Sequence, residues 1–295
     1  MMTTRRTLVG LIGANITKSL SPALHADAFA AAGIDGYYHL MDVEVLRGRT
    51  LPQLLDAVKT AGFAGTNVTF PFKQEVLKHL NALDEEAAQI GALNTVTIAP
   101  DGSTKGYNTD RSGFRRSFEH HLGRASAEGA RVTLIGAGGA GRAVAFALMD
   151  LGVADLAIHD SNEKQSASLI ADLRKYYGET RCRAAGDLAK AVAAADGVVN
   201  ATPVGMLGIP GNPVPVEALR AGHWAADVVY TPLETEFIKA ARARGARTLT
   251  GGGMCVYQAV EAFRLFTGVA PDVERMHTTF LRALAARDAV LALQG

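Results

Sequence analysis

Val132-Thr133-Leu134-Ile135-Gly136-Ala137-Gly138-Gly139-Ala140-Gly141 passes from a short apolar strand into a glycine loop that opens a helix. The glycines fit G-x-G-x-x-G, a pattern that says little in isolation and much more in this strand-to-helix setting. Bare backbone amides and a helix N-terminus then face one point, where a pyrophosphate can sit. Gly136, Ala137, Gly138, Gly139, Ala140 and Gly141 are the expected cofactor loop. A glycine turn that only allows tight strand-to-helix packing is the alternative.

The flanking segments keep the same rhythm. Arg131 to Ile135 reads as a strand, Ala140 to Leu151 as a helix closed by Gly152, and Leu156 to His159 as the next strand. Helices near Lys164 to Tyr177 and Leu188 to Ala195 follow, with later strands at Gly197 to Asn200 and Ala225 to Val229. Asp160 stands just past the second strand, where an acid can accept hydrogen bonds from an adenosine ribose. It would repel a 2′-phosphate, and no arginine follows at once to bind one, which favours NAD over NADP. Capping the helix that begins near Asn162 is the competing role for this short acid.

Upstream, Leu8 to Ile12 reads as a strand, Pro22 to Ala32 as a helix stopped by Gly33, Tyr37 to Met41 as a strand and Leu51 to Ala61 as a helix. A strand around Asn67 then leads into a helix through Leu80, followed by a short helix near Glu85 to Gln89. Thr95 to Ile98 and Thr104 to Tyr107 flank Pro100-Asp101-Gly102 as a hairpin. Strand–helix alternation argues for an α/β chain with parallel sheets covered by helices. The expected domains are a substrate-binding and catalytic α/β domain over 1–112, a Rossmann-type dinucleotide-binding domain over 113–257, and helices over 258–295 that pack back on the first domain.

Composition narrows the partners. A formal net charge of +1 with 20% charged residues offers no basic face to nucleic acid and no acidic tail. Cys182 and Cys255 lack the paired spacing of a zinc or disulfide framework and suit a reducing compartment. The neighbours His120 and His121 point to different sides of a helix, so no metal site is expected. The apolar run after Arg5-Arg6 is short and reads as a buried strand rather than a secretion signal. No stretch approaches the roughly 20 apolar residues of a membrane span. The expectation is a cytoplasmic monomer or homodimer acting on a small molecule, without nucleic-acid or membrane partners.

Three polar segments suggest where that molecule binds. Asn67-Val68-Thr69-Phe70-Pro71-Phe72-Lys73 reads as a strand running into a proline-started helix with a lysine in its first turn. The positive end of a helix disfavours an ammonium, which would suit Lys73 to proton transfer; a solvated surface lysine is the alternative. In Lys18-Ser19-Leu20-Ser21-Pro22, Ser21 reads as an N-cap followed by proline. Ser19 is not explained that way, and two hydroxyls beside a helix N-terminus suit a carboxylate. Asp110, closing Gly106-Tyr107-Asn108-Thr109-Asp110, is either a simple N-cap or a carboxylate that accepts a substrate hydroxyl and pairs with a lysine.

Together these residues resemble the shikimate/quinate dehydrogenase family across nearly the whole chain. The matching motifs are Ser19-Leu20-Ser21-Pro22, Asn67 to Lys73, Gly91-Ala92-Leu93-Asn94-Thr95, Asn108-Thr109-Asp110 and the glycine loop. Asn200-Ala201-Thr202-Pro203-Val204-Gly205-Met206 and Gly253-Met254-Cys255-Val256-Tyr257-Gln258 complete them. The resemblance implies that Lys73 and Asp110 form the catalytic pair, with Lys73 taking the proton of the reacting ring hydroxyl while hydride passes to the nicotinamide. It also implies that Ser19 and Ser21 hold the carboxylate, with Tyr230 nearby. Thr69, Asn94, Asp110 and Gln258 would read the ring hydroxyls, and Thr202, Val228 and Gly251 would border the nicotinamide.

Two departures refine the expectation. Biosynthetic NADP-using members commonly carry Asn-Arg-Thr where this chain has Asp160-Ser161-Asn162, so it is most similar to the NAD-dependent quinate/shikimate branch. Lys18 stands where many relatives have histidine. The expected substrate is a cyclic hydroxy acid, shikimate and quinate being oxidised to the 3-dehydro acids. The alternatives are an NADP-dependent biosynthetic shikimate dehydrogenase, an aminoshikimate-type relative, or a non-catalytic dinucleotide sensor. Retention of both Lys73 and Asp110 argues against the sensor.

Overall fold

A computed structural model describes residues 6–292 of the chain. Two compact units make it up, one running to Thr109 and resuming at Val256, the other spanning Asp110–Cys255. The expected boundaries after residues 112 and 257 fall in the same two helices as these divisions.

The first unit contains β1 (Thr7–Gly13), α1 (Ser21–Ala31), β2 (Gly36–Asp42), α2 (Leu51–Thr60), β3 (Gly65–Val68), β4 (Ala82–Leu83), α3 (Glu85–Ile90), β5 (Thr95–Ile98) and β6 (Thr104–Tyr107). Its sheet has the order β2-β1-β3-β5-β6-β4. β1 runs parallel to β2 and β3, whereas β5 is antiparallel to both β3 and β6. The sheet is therefore mixed, its first strands parallel and the hairpin expected at Thr95–Ile98 and Thr104–Tyr107 supplying antiparallel ones. A turn as short as Pro100-Asp101-Gly102 cannot make a crossover, so the strands on either side must run antiparallel.

α2 shows how the helices are specified. The Gln53 carboxamide accepts the Thr50 amide at 3.0 Å, tying down the first turn. Leu51, Leu54, Leu55 and Val58 then fall on one face and bury against Ile12, Met41, Val68 and Val96 of the sheet. Burial of each such side chain contributes about 1.5–3 kcal/mol.

The helix expected from Pro71 through Leu80 is absent. A turn over 70–74 leads instead into a short 3₁₀ helix, Glu75–His79, in which only Val76 is buried. The Leu93 amide donates to the Lys73 carbonyl at 2.8 Å, engaging the acceptor that an α-helix would offer to residue 77. The helix-terminus argument for Lys73 therefore falls, and its placement has to be argued from the sheet.

The second unit holds α4 (Thr109–His121), β7 (Arg131–Ile135), α5 (Gly139–Asp150), β8 (Asp155–His159), α6 (Glu163–Tyr177), β9 (Cys182–Ala184), α7 (Leu188–Ala194), β10 (Gly197–Asn200), β11 (Trp224–Asp227), α8 (Glu236–Ala243) and β12 (Arg247–Leu249). Its strands lie in the order β12-β11-β10-β7-β8-β9, and every pair is parallel. This is the doubly wound order of dinucleotide-binding sheets, with the reversal at β7 and β10, where such sheets bind ligands beyond their carboxyl ends. α5 is buried from Gly141 to Met149, and Phe118 meets Trp224 edge-on at 4.8 Å. Arg111 grips Asp150 with two hydrogen bonds of 2.7 and 2.8 Å, and the Tyr177 hydroxyl donates to the same carboxylate at 2.8 Å.

The C-terminal stretch forms two helices, α9 (Gly251–Thr267) and α10 (Val273–Ala292). Gly268, with φ +74°, ends the first in a left-handed conformation and donates to the Arg264 carbonyl at 2.8 Å. Both return to the first unit. Phe263 of α9 packs 5.1 Å from Phe29 of α1, and Arg275 of α10 pairs with Asp27 at 2.8 Å. Among the described residues, no helix is long and apolar enough to cross a membrane.

Candidate active site

Strand direction brings together residues of the first unit that were expected at the substrate. Asn67 lies opposite Thr95, and Thr95 opposite Tyr107, so the ends of β1, β3 and β6 and the start of β5 share one edge of the first sheet. The loop bearing Ser19 leaves β1 there, Thr69 and the Lys73 turn leave β3, Asn94 enters β5, and Asn108 to Asp110 leave β6. Thr69 and Lys73 are half-buried.

Ser21 is not the cap of α1. It is the first helical residue, and the Ser19 hydroxyl accepts its amide at 3.2 Å while donating to its hydroxyl at 3.2 Å. The two serines therefore form one hydroxyl pair on the entry to α1. That loop is held from below by Asp42, a buried residue at the end of β2. Its carboxylate accepts the amides of Asn15 at 3.1 Å, Ile16 at 2.7 Å and Glu44 at 3.0 Å, and the Ile16 carbonyl accepts the Ser19 amide. Asp42→Asn, which weakens charge-assisted bonds without changing shape, is expected to raise the substrate KM about tenfold, equivalent to about 1.4 kcal/mol. Calorimetric NAD affinity should stay within twofold; an unchanged KM would remove Asp42 from this role.

Asn94 is the hub of the remaining set. Its carboxamide oxygen accepts the Thr109 amide at 2.8 Å, and its nitrogen donates to the Thr109 hydroxyl at 2.9 Å and to Gln258 at 3.4 Å. Its carbonyl accepts both the Val68 amide and the Asn67 carboxamide, while Leu93 beside it anchors Lys73. Asp110 is buried inside the first turn of α4, which begins at Thr109, so it is not an N-cap. Asn94 takes the helix-starting amide instead.

Every residue expected at the cofactor follows the carboxyl end of a strand in the second sheet. Gly136 (φ +101°) lies against the Ala201 carbonyl, and a Cβ at Gly141 would sit 2.0 Å from the Gly136 oxygen. Gly138, the N-cap of α5, brings no side chain to the first-turn amides, and space around it is open up to Gln165 at 3.9 Å. Such a bare, approachable helix start fits a dinucleotide pyrophosphate.

Asp160 accepts the Ala137 amide at 2.7 Å through one oxygen and the Asn162 amide at 2.8 Å through the other. Asn162 caps α6, its side chain accepting the Lys164 amide, which overturns the capping alternative for Asp160. A carboxylate offers about four acceptor positions, so Asp160 can brace the glycine loop and still receive ribose hydroxyls. Thr202 follows β10, Val228 and the half-buried Tyr230 follow β11, and Gly251 opens α9 against the Val228 and Val229 carbonyls.

The chain matches known proteins over most of its length. Residues 11–96 match the model of the shikimate dehydrogenase substrate binding domain, and residues 251–279 that of the shikimate 5′-dehydrogenase C-terminal domain. A quinate/shikimate dehydrogenase (NAD(+)) of Corynebacterium efficiens is 46% identical over 278 residues, covering 93% of this chain and 97% of that protein. The chain belongs to the shikimate dehydrogenase family.

Within that family, a shikimate dehydrogenase (NADP(+)) of Streptomyces avermitilis is 47% identical over 279 residues, covering 93% of this chain and 95% of that protein. Among solved structures, quinate dehydrogenase from Corynebacterium glutamicum in complex with NAD has a TM-score of 0.87 at 44% identity, covering 94% of this chain and all of that one. Sequence reading of this family member did not single out Asp42, Asn67 or Asp227. Asn67 donates to Thr95 at 2.9 Å and accepts the Tyr38 hydroxyl at 2.8 Å, bracing the edge that carries Thr69 and Asn94. Burial pushes the Asp227 carboxyl up to about 6, against the pull of hydrogen bonds from Thr235, Val229 and Asn200.

Proposed function

We propose that this chain is an NAD-dependent dehydrogenase that interconverts shikimate, and quinate, with the corresponding 3-dehydro acids. The observation that carries this reading is the convergence on one sheet edge of a hydroxyl pair, Ser19–Ser21, with Thr69, Lys73 and the Asn94–Gln258 pair. An acid whose carboxylate takes the two serine hydroxyls would present its ring to the amide and hydroxyl groups of Thr69, Asn94 and Gln258.

In oxidation, Lys73 in its neutral form accepts the proton of the reacting ring hydroxyl, and the carbinol carbon becomes a carbonyl as its C–H bond leaves as hydride. NAD supplies the hydride acceptor. In reduction the Lys73 ammonium returns the proton to the alkoxide oxygen. The roles of Asp110 toward a neighbouring ring hydroxyl and of Tyr230 toward the carboxylate rest on the family resemblance alone. Gly136–Gly141 would hold the pyrophosphate, Asp160 the adenosine ribose, and Thr202, Val228 and Gly251 the nicotinamide. Asp160 supports NAD because a carboxylate there repels a 2′-phosphate.

Initial rates with shikimate and quinate, each with NAD and with NADP, test the reading. NAD is expected to be preferred at least tenfold in kcat/KM with either acid. A preference for NADP would remove the role given to Asp160, and no turnover in any combination would favour a dinucleotide sensor.

A further inference from the structure

The carboxyl ends of β10 and β11 enclose a polar cluster, Asn200, Asp227 and Thr235, in which all three residues are buried. None of them is in the set assigned above to substrate or cofactor. Burying a carboxylate is costly unless its oxygens are satisfied, and here they are. Asp227 accepts the Asn200 carboxamide at 3.0 Å, the Val229 amide at 2.9 Å and the Thr235 hydroxyl at 2.7 Å. Thr235 also caps α8 by accepting the Ile238 amide, so its one hydroxyl proton is directed at Asp227.

What the cluster holds is two loops. The Asn200 oxygen accepts both the Thr202 amide at 3.0 Å and the Thr202 hydroxyl at 2.7 Å, while its nitrogen donates to the Val204 carbonyl as well as to Asp227. Only one orientation of the Asn200 amide satisfies these partners, and Asp227 is, with the Val204 carbonyl, one of the two acceptors that select it. On the β11 side, Asp227 fixes the amide of Val229, and the Asn200 carbonyl accepts the Val228 amide at 3.0 Å. A further bond, Leu207 amide to Thr231 carbonyl at 2.8 Å, joins the two loops.

Topology says what those loops face. With the pyrophosphate on the turn after β7 and the adenosine ribose at Asp160 after β8, the other half of the dinucleotide extends over the strands on the opposite side of β7, which are β10 and β11. We propose that Asp227 is a positioning residue for the nicotinamide half of the cofactor, holding the 201–206 and 228–231 loops in register through Asn200 and Val229. The inference rests on the reading that this chain binds NAD.

Calorimetry with NADH and with ADP-ribose, which lacks the nicotinamide, separates this role from general support of the fold. Wild type is expected to bind NADH more tightly than ADP-ribose. Asp227→Ala is expected to lower that preference about tenfold while the ADP-ribose affinity stays within twofold. Asp227→Asn, which keeps an oxygen toward Asn200 and Val229, should retain the preference within threefold. If Asp227→Ala does not fold, Thr235→Val removes one donor to the carboxylate and should lower the preference at least threefold. Equal weakening of both ligands, an unchanged preference in the variant, or no preference in wild type would each overturn the proposal. Failure of wild type to bind either ligand would instead bring down the NAD reading on which it rests.

Discussion

Replacing Lys73 with alanine is expected to lower kcat for shikimate oxidation about 10²–10⁴-fold, the range that a positioned general base contributes. The backbone at this position is held independently of the side chain, because the Lys73 carbonyl accepts the Leu93 amide beside the Asn94 hub. Truncation should therefore leave the Ser19–Ser21 pair and the Asn94–Gln258 contact in place, and the substrate KM should move by no more than a few-fold. The glycine loop belongs to the other unit, so calorimetric NAD affinity should stay within twofold of wild type. Lys73→Arg should be nearly as impaired, since a guanidinium keeps its charge and cannot accept the proton. Near-normal turnover in either variant would remove the catalytic role given to this lysine.

Gly141→Ala attacks the glycine loop of the second unit. The added Cβ would lie 2.0 Å from the Gly136 carbonyl oxygen and 2.7 Å from its carbon, both of them backbone atoms with no rotamer to adopt. Gly136 has little room to retreat, since its own Cα faces the Ala201 carbonyl. Overpacking of this kind costs about 1–3 kcal/mol, and because it shifts the amides that would hold the pyrophosphate, much of that cost should be read in cofactor binding. NAD affinity is expected to fall at least about 100-fold, equivalent to about 2.7 kcal/mol. Circular dichroism and a urea titration should show a folded protein of lower stability. Wild-type affinity would mean that the dinucleotide does not rest on this turn.

The second sheet was readable where apolar strands were bounded by glycine, as at Arg131–Ile135 and Gly197–Asn200, both of which the structure reproduces. The hairpin strands Thr95–Ile98 and Thr104–Tyr107 were equally plain, because the Pro100-Asp101-Gly102 turn leaves them few other options. β9 and β12 have only three residues each, too few to show a period. α8 carried an available signal, the Thr235 cap, that was passed over.

Misreadings cluster where a distant partner decides the outcome. The stretch after Pro71 has the composition of a helix start, but the Leu93 amide claims the Lys73 carbonyl from elsewhere in the chain. Ser21 and Asp110 sit beside helix starts that Ser19 and Asn94 serve. Asp42 and Asp227 look like ordinary acids in sequence. Their distinction lies in the amides and carboxamides they receive, several of them from other strands and loops. Site chemistry could thus be matched residue by residue to a family pattern, whereas the groups that hold the site in place became visible only with the fold.

Tracing the hydride gives the most direct test of the reaction proposed for these residues. Shikimate deuterated at the carbinol carbon that becomes the 3-dehydro carbonyl, incubated with NAD and the protein, should yield reduced nicotinamide carrying the deuterium and an equal amount of the 3-dehydro acid. Deuterium released to water, or an acid recovered unchanged with its label intact, would contradict the account.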